Sequence, residues 1–347
     1  MGITIRDVAE QAGVSIATVS RVINNDSGHR VNAATARKVI DAVIALGYTP
    51  DGMARNLRKG TALSQTSLNI GTLLTSTIDS YNDSFFHEIL LGIQEEIANT
   101  GHTLRFALSL DTVSQKVVEE SLRAHDLDGV ILLGRMSAQT LFLVKKHVQN
   151  IIYAGLNPLN QDFDEVVCDA YGCAKAAVHY LASCGYRKIG YIGTAARSGS
   201  STLINEHRYD GYLDAMSELG FSVKSDHVID TPLSIEMAFH AIERFLTQKS
   251  LPEAFFCAND NCAIGALKAL RTHRIRVPKD IGIIGIDDLE ISAFSTPMLT
   301  TFHIPRKEIG VYSVRMLNDQ IRNNRKYPIR LQLPYSLITR DSCKKPL

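Results

Sequence analysis

Five positions in this 347-residue chain combine carboxylate, amide, guanidinium and aromatic chemistry just beyond apolar runs: Asp83, Phe85, Arg208, Asn259 and Asp287. Such groups suit a neutral polyhydroxylated ligand, because each hydroxyl both donates and accepts while an aromatic face covers the C–H side. Singly, each has a local explanation. Asn259-Asp260 and Asp287-Asp288 are ordinary turn and N-cap residues after a strand, so only their joint occurrence points to a ligand. Acid–base catalysis is poorly served, since Asp287-Asp288 has no evident nucleophile with a supporting histidine. The turn Gly190-Tyr191-Ile192-Gly193 lacks the G-x-G-x-x-G spacing, and no P-loop lysine follows it. An NAD-type enzyme on a doubly wound fold is therefore the weaker alternative, and no cofactor is expected.

A second set lies near the N-terminus, in T-I-R-D-V-A-E-Q-A-G-V-S-I-A-T-V-S-R-V-I-N, Thr4 to Asn24. Thr4 stands as an N-cap with Asp7 three residues on, and Val8, Ala9 and Ala12 share one helical face. Gly13 supplies the positive φ of a sharp turn. Ser15 caps a second helix whose Val19, Val22 and Ile23 face inward. Ile16, Ala17, Ser20 and Arg21 are left off the buried face, with no carboxylate among them to repel phosphate. An αα-hairpin of any helical domain shares the first features. The acid-free outer face favours a helix-turn-helix, whose second helix enters the DNA major groove.

These sets need two kinds of scaffold. Asn32 opens a third helix with the stripe Val39, Ile40, Val43, Ile44 and a terminal Gly47, which completes a bundle of about fifty residues. Asp51–Gly60 follows, with Ala54, Arg55, Leu57, Arg58 and Lys59: either a basic linker or a short helix that forms on contact with a polyanion. From Asn69 the pattern alternates. Apolar runs at Ile70–Leu74, Leu104–Leu108, Val130–Leu133, Ile151–Ala154, Ile189–Ile192, Ala254–Ala258 and Ile281–Ile286 read as buried parallel strands. Helical stretches include Phe85–Asn99, Ala174–Ser183, Tyr209–Leu219, Ile235–Gln248 and Asn261–Thr272. This is a doubly wound α/β pattern, and ligands bind beyond the carboxyl ends of such strands.

Charge is distributed accordingly. The formal net charge is +1, but residues 1–60 hold eight Lys/Arg against five Asp/Glu, and the remainder 29 against 31. A basic head on a near-neutral body fits a protein that meets phosphates through its N-terminus. The six cysteines form no C-x-x-C pair, so reduced thiols rather than a metal site are expected. With no leader and no apolar run of about 20 residues, a cytoplasmic protein with no membrane partner is expected, not an exported sugar receptor.

Along nearly its whole length the chain resembles the lactose/galactose-repressor (LacI/GalR) family. The similarity is carried by I-R-D-V-A-E-Q-A-G-V-S-I-A-T-V-S-R-V-I-N, A-R-N-L-R-K-G, F-F-H-E-I-L-L-G-I, C-A-N-D-N-C-A-I-G-A-L, I-G-I-I-G-I-D-D and L-T-T-F-H-I-P-R-K-E-I-G. The resemblance implies a helix-turn-helix headpiece (1–50), a hinge helix and linker (51–67) and a periplasmic-binding-protein-like core (68–343). The core would comprise an N-subdomain of about 68–166 and 301–331 and a C-subdomain of about 167–300 and 332–343. It implies a homodimeric repressor of a carbohydrate operon on a pseudo-palindromic operator. Ile16, Ala17 and Arg21 would face bases, and an arginine there can pair with guanine through two bonds. Thr4, Ser15, Thr18 and Ser20 would set register on the backbone, Asn24 and Arg55 would join the DNA-facing set, Leu57 would wedge into the minor groove, and Ala54 would pack paired hinge helices. Phe85 with its preceding loop, Arg208, Asn259 and Asp287 would line the effector cleft. The I-A pair and the ending P-Y-S-L-I-T-R-D-S lean toward a galactose-like sugar or galactoside. Two departures stand out: Gly155 where relatives often carry Asp, and no aromatic near Leu233. The C-terminus lacks leucine heptads, so a dimer is expected.

Overall fold

The computed structural model describes residues 5–23, 32, 35–39, 42, 67–75, 84–134, 136–195, 206–247 and 250–347. Thr4, Asn24, Ala54, Arg55, Leu57 and Asp83 lie outside the described residues, and Arg21 is described only by its helical backbone. The chain divides into two compact units, Met1–Thr66 and Ser67–Leu347.

In the first unit α1 (Ile5–Ala12) and α2 (Ile16–Ile23) meet at Gly13, whose φ is +63°. The Val14 N–H donates to the Ala9 carbonyl at 3.0 Å, closing the turn. Ser15 caps α2: its Oγ accepts from the Thr18 N–H at 3.1 Å, and its carbonyl accepts from Val19 at 3.1 Å. Residues 35–39 are helical, entered through Ala36 N–H to Asn32 carbonyl at 2.9 Å. Val8, Ala9, Val19, Val39 and Ala42 pack as one core. Ile5, Ala12, Val14 and Val22 pack against it.

The second unit carries two six-stranded sheets. The chain first lays down β1 (Asn69–Thr75), α3 (Ser84–Thr100), β2 (Thr103–Ser109), α4 (Gln115–Ala124), β3 (Gly129–Gly134), α5 (Ala138–His147), β4 (Ile151–Gly155) and β5 (Asp164–Val167). It then crosses over to α6 (Ala170–Ser183), β6 (Ile189–Gly193), α7 (Arg208–Glu218), β7 (Val228–Asp230), α8 (Ile235–Leu246), β8 (Ala254–Cys257), α9 (Asp260–Thr272), β9 (Gly282–Asp287), α10 (Glu290–Phe294) and β10 (Thr300–His303). It returns through α11 (Arg306–Asn323) and β11 (Arg330–Gln332), and crosses again to β12 (Ser336–Ile338). The strand orders are β11-β5-β4-β3-β1-β2 and β12-β10-β9-β8-β6-β7. All pairings are parallel except β10 with β12. β3 (GVILLG) and β9 (GIIGID) are buried along their whole length, as strands covered on both faces must be. The passage back to the first sheet follows β10 and so lies beyond residue 303.

Two glycines in the recognisable motifs have a steric cause. α3 and α11 cross where Gly92 meets Gly310. A Cβ at Gly92 would sit 2.1 Å from the Lys307 carbonyl oxygen, and one at Gly310 2.1 Å from that of Ile89. Only side-chain-free positions allow this backbone approach.

β5 was absent from the expected strands, and the reason is its charge. Asp164 and Glu165 are buried, and both carboxylates are met from the far end of the chain. Arg325 pairs with Asp164, and Arg330 Nε donates to Glu165 Oε2 at 2.7 Å. Glu165 Oε1 also accepts from the Leu159 and Asn160 N–H groups at 2.8 Å each.

Candidate functional site

α2 presents Ile16 and Ala17 to solvent, and its eight residues IATVSRVI include no carboxylate. Ser15 and Thr18 hydroxyls lie 2.9 Å apart within the cap, and Ser20 is half-buried. Small exposed side chains at the start of a helix let its axis approach a groove floor, and the helix N-terminus favours phosphate.

In the second unit, the carboxyl ends of β6, β8 and β9 bring three of the expected residues together. Arg208 opens α7 and is buried. Its Nε donates to Glu206 Oε1 at 2.7 Å, its Nη2 to Glu206 Oε2 at 2.5 Å, and its Nη1 to the Ala258 carbonyl at 2.7 Å. Burial opposes the charged guanidinium, but the Glu206 carboxylate more than reverses this by charge and hydrogen bond, so the Arg208 pKa is raised. Asn259, next to Ala258, caps α9: Oδ1 accepts from the Cys262 N–H at 2.9 Å, and Nδ2 donates to the Leu233 carbonyl at 3.3 Å. Its ordinary capping role is thus real. Asp287 ends β9 at φ +120° and is followed by Asp288 at +54°. Asp288 lies in the left-handed region that aspartate tolerates, whereas the Asp287 backbone is strained for any residue but glycine and persists only where surroundings hold it. Here Arg306 holds it, donating to both the Asp287 and Asp288 carbonyls. Asp288 is clamped further by Arg340 Nη2 at 2.7 Å and His303 at 3.1 Å.

Phe85 stands differently. It is buried in the core of α3, edge-on to Phe86 at 5.1 Å, and Phe86 is the more exposed of the two. Glu88, one turn on, accepts from Arg306 Nε at 2.9 Å, so a single arginine ties α3 to the end of β9. Glu206 and Arg306 were not among the expected residues. An acid two positions before Arg208 was the available sign of the first; nothing local to Arg306 marks the second. The departure at Gly155 also has a cause: a Cβ there would lie 2.4 Å from the Tyr153 hydroxyl oxygen, which fills that space.

Beneath the site, Asp260 is fully buried. Its carboxylate accepts from the Leu289 N–H at 2.9 Å, Ser292 Oγ at 2.6 Å and Thr301 Oγ1 at 2.5 Å. Burial raises its pKa to about 6 against these donors. A carboxyl whose folded pKa exceeds its unfolded value binds protons more readily when native. Its stabilising contribution is therefore full below about pH 4 and is lost as pH rises through about 6. Between pH 4.5 and 7.5 the urea-derived stability of the parent should fall by on the order of 2 kcal/mol more than that of Asp260→Asn. Parallel pH profiles would exclude this.

Among the described residues no group of three or more His, Cys, Asp or Glu is arranged to hold a metal. All six cysteines are free and buried, and burial pushes the thiols of Cys168 up to about 11 and of Cys262 to about 12.

Fold and site together define a DNA-binding helix-turn-helix joined to a two-sheet, periplasmic-binding-protein-like core. Comparison with known proteins agrees. Residues 4–51 match the family described as bacterial regulatory proteins, lacI family, and residues 178–343 match a periplasmic binding protein-like domain. The HTH-type transcriptional repressor PurR of Pasteurella multocida is 31% identical, over 99% of this chain and 99% of that one. The HTH-type transcriptional repressor MelR of Bacillus subtilis is 29% identical, over 98% and 97%. The structure of the transcriptional regulator CelR in complex with cellobiose superposes with a TM-score of 0.71 at 25% identity, covering 98% of this chain and 99% of that one. The chain belongs to the lacI family of bacterial regulatory proteins. It is a transcriptional repressor of that family and not an enzyme, which disposes of the dinucleotide-enzyme alternative. No helix among the described residues is long and apolar enough to cross a membrane.

Proposed function

We propose that this repressor acts in the cytoplasm as a homodimer, binding a pseudo-palindromic operator that controls carbohydrate use, and that a sugar between the two sheets of the core switches it. The observation that carries the switch is the convergence of Arg208, Asn259 and Asp287 at neighbouring strand ends, in a chain whose other unit is a helix-turn-helix. The likeness to a cellobiose-bound regulator supports a sugar as effector. A galactose-like sugar or galactoside is the specific candidate, from the Ile16-Ala17 pair and the C-terminal P-Y-S-L-I-T-R-D-S.

In this proposal residues 1–50 form the headpiece, 51–67 the hinge, and 68–343 the core, whose subdomains exchange chain after β5, after β10 and after β11. Ile16, Ala17 and Arg21 read bases. Thr4, Ser15, Thr18, Ser20, Asn24 and Arg55 hold the backbone, Ala54 packs the hinge, and Leu57 enters the minor groove. Asp83 contacts the effector, and Phe85, buried in the core, backs the site from behind Phe86. Exposed Ile291, Phe294 and Met298, contributed by α10 and the segment after it, support a self-association surface. Arg306, bridging Glu88 and the strained Asp287 carbonyl, supports coupling between effector and lobe position. A ligand shifts such an equilibrium only by binding one arrangement better.

The test is binding of the full chain to its own promoter DNA by anisotropy, with and without a sugar panel. Saturable, sequence-specific binding whose midpoint moves at least about tenfold with one sugar is expected. Indifference to every sugar, or no preference for that promoter over random duplex, would refute the proposal.

A further inference from the structure

Among the described residues, the three arginines at the strand-end site are each already matched by a carboxylate. A guanidinium has five N–H donors and meets anions best through the two-pronged face formed by its Nε and one terminal nitrogen. In Arg208 that face is occupied by both oxygens of Glu206, at 2.7 and 2.5 Å. The two side chains are only 7% and 5% exposed, so water screens the pair little. A third donor goes to the Ala258 carbonyl. These three bonds leave one N–H on each terminal nitrogen, away from the Nε-side fork that Glu206 fills. Nearby, Arg306 is matched by Glu88 and Arg340 by Asp288. Asp287 brings a further carboxylate, whose charge acts on Arg208 and on the Cys262 thiol, as does that of Glu206.

We infer that this site selects an uncharged effector and that Glu206 is the residue that enforces the selection. Glu206 occupies the fork that the phosphate or carboxylate of an anionic effector would otherwise take, and its charge stands beside the N–H groups that remain, which suit hydroxyls better than an anion. An anion entering the site meets carboxylates at short range in a partly desolvated setting, and like-charge juxtaposition there costs heavily. The inference rests on the proposal that these strand ends bind the effector, and it adds the charge class and the residue that sets it.

The test measures binding to the full-length parent and to Glu206→Gln by titration calorimetry at fixed ionic strength. The probes are galactose, lactose and cellobiose, with galactose 6-phosphate, glucose 6-phosphate and galacturonate as anions. The parent is expected to bind a neutral sugar at least about tenfold more tightly than any anion, and Glu206→Gln to narrow that gap about tenfold by freeing the Arg208 fork. A parent that binds a sugar phosphate as tightly as a neutral sugar overturns the inference while leaving a carbohydrate-controlled repressor standing. A variant that discriminates as sharply as the parent overturns the role of Glu206. Should Glu206→Gln not fold, the parent's own ratio still decides the charge class. A parent that binds no member of either set sinks the effector site itself, and this inference with it.

Discussion

Replacing Arg208 with alanine should lower the stability of the core by about 3–5 kcal/mol and abolish the response to sugar. Glu206 is the reason. Removing one partner of a buried ion pair leaves an uncompensated charge, which costs far more than the pair contributes. Both side chains are almost wholly buried, and the bond from Arg208 to the Ala258 carbonyl is lost as well. Urea unfolding of the second unit measures the effect. The double variant Glu206→Gln/Arg208→Met should recover most of the stability, since no charge is stranded. It should not recover the sugar response, because the hydroxyl donors are gone. A single variant within about 1 kcal/mol of the parent would show that the pair is solvated and that its burial carries no weight.

Ala17→Glu should weaken operator binding by about 100-fold or more while leaving sugar binding unchanged. Ala17 is exposed on α2, and glutamate is a good helix former, so the helix is retained. The new carboxylate would stand on the face that must approach phosphates and acceptor-rich base edges. Repulsion of this kind is not specific to sequence, so affinity for random duplex should fall as well. Anisotropy on operator and random DNA separates this outcome from a change of preference, which is what a milder change such as Ile16→Ala should produce. Unaltered operator affinity in Ala17→Glu would mean that α2 does not face the duplex.

The helix-turn-helix was legible because its determinants are local. A cap at Ser15, a positive φ at Gly13 and apolar side chains at helical spacing act within a turn or two of each other. The strands of the core were legible for a related reason: parallel strands covered on both faces are apolar runs, and β3 and β9 are such runs. Where burial and charge coincide this signal fails. β5 reads as a polar segment because Asp164 and Glu165 are neutralised by Arg325 and Arg330, more than 150 positions along the chain. At the candidate site the residue types were visible but their states were not. Phe85 is core with Phe86 outside it, whereas the capping role of Asn259 was readable.

By itself the amino-acid sequence determined the helix-turn-helix, the alternation that makes an α/β core, and the kinds of side chain standing beyond the strands. These depend on periodicity and on backbone chemistry over a few residues. The tertiary structure alone decided that Arg306 ties Glu88 to the strained end of β9 and that Arg325 and Arg330 neutralise the carboxylates of β5. Whether a charge is available or already matched depends on groups brought within about 3 Å by the path of the chain, and no local pattern encodes that path.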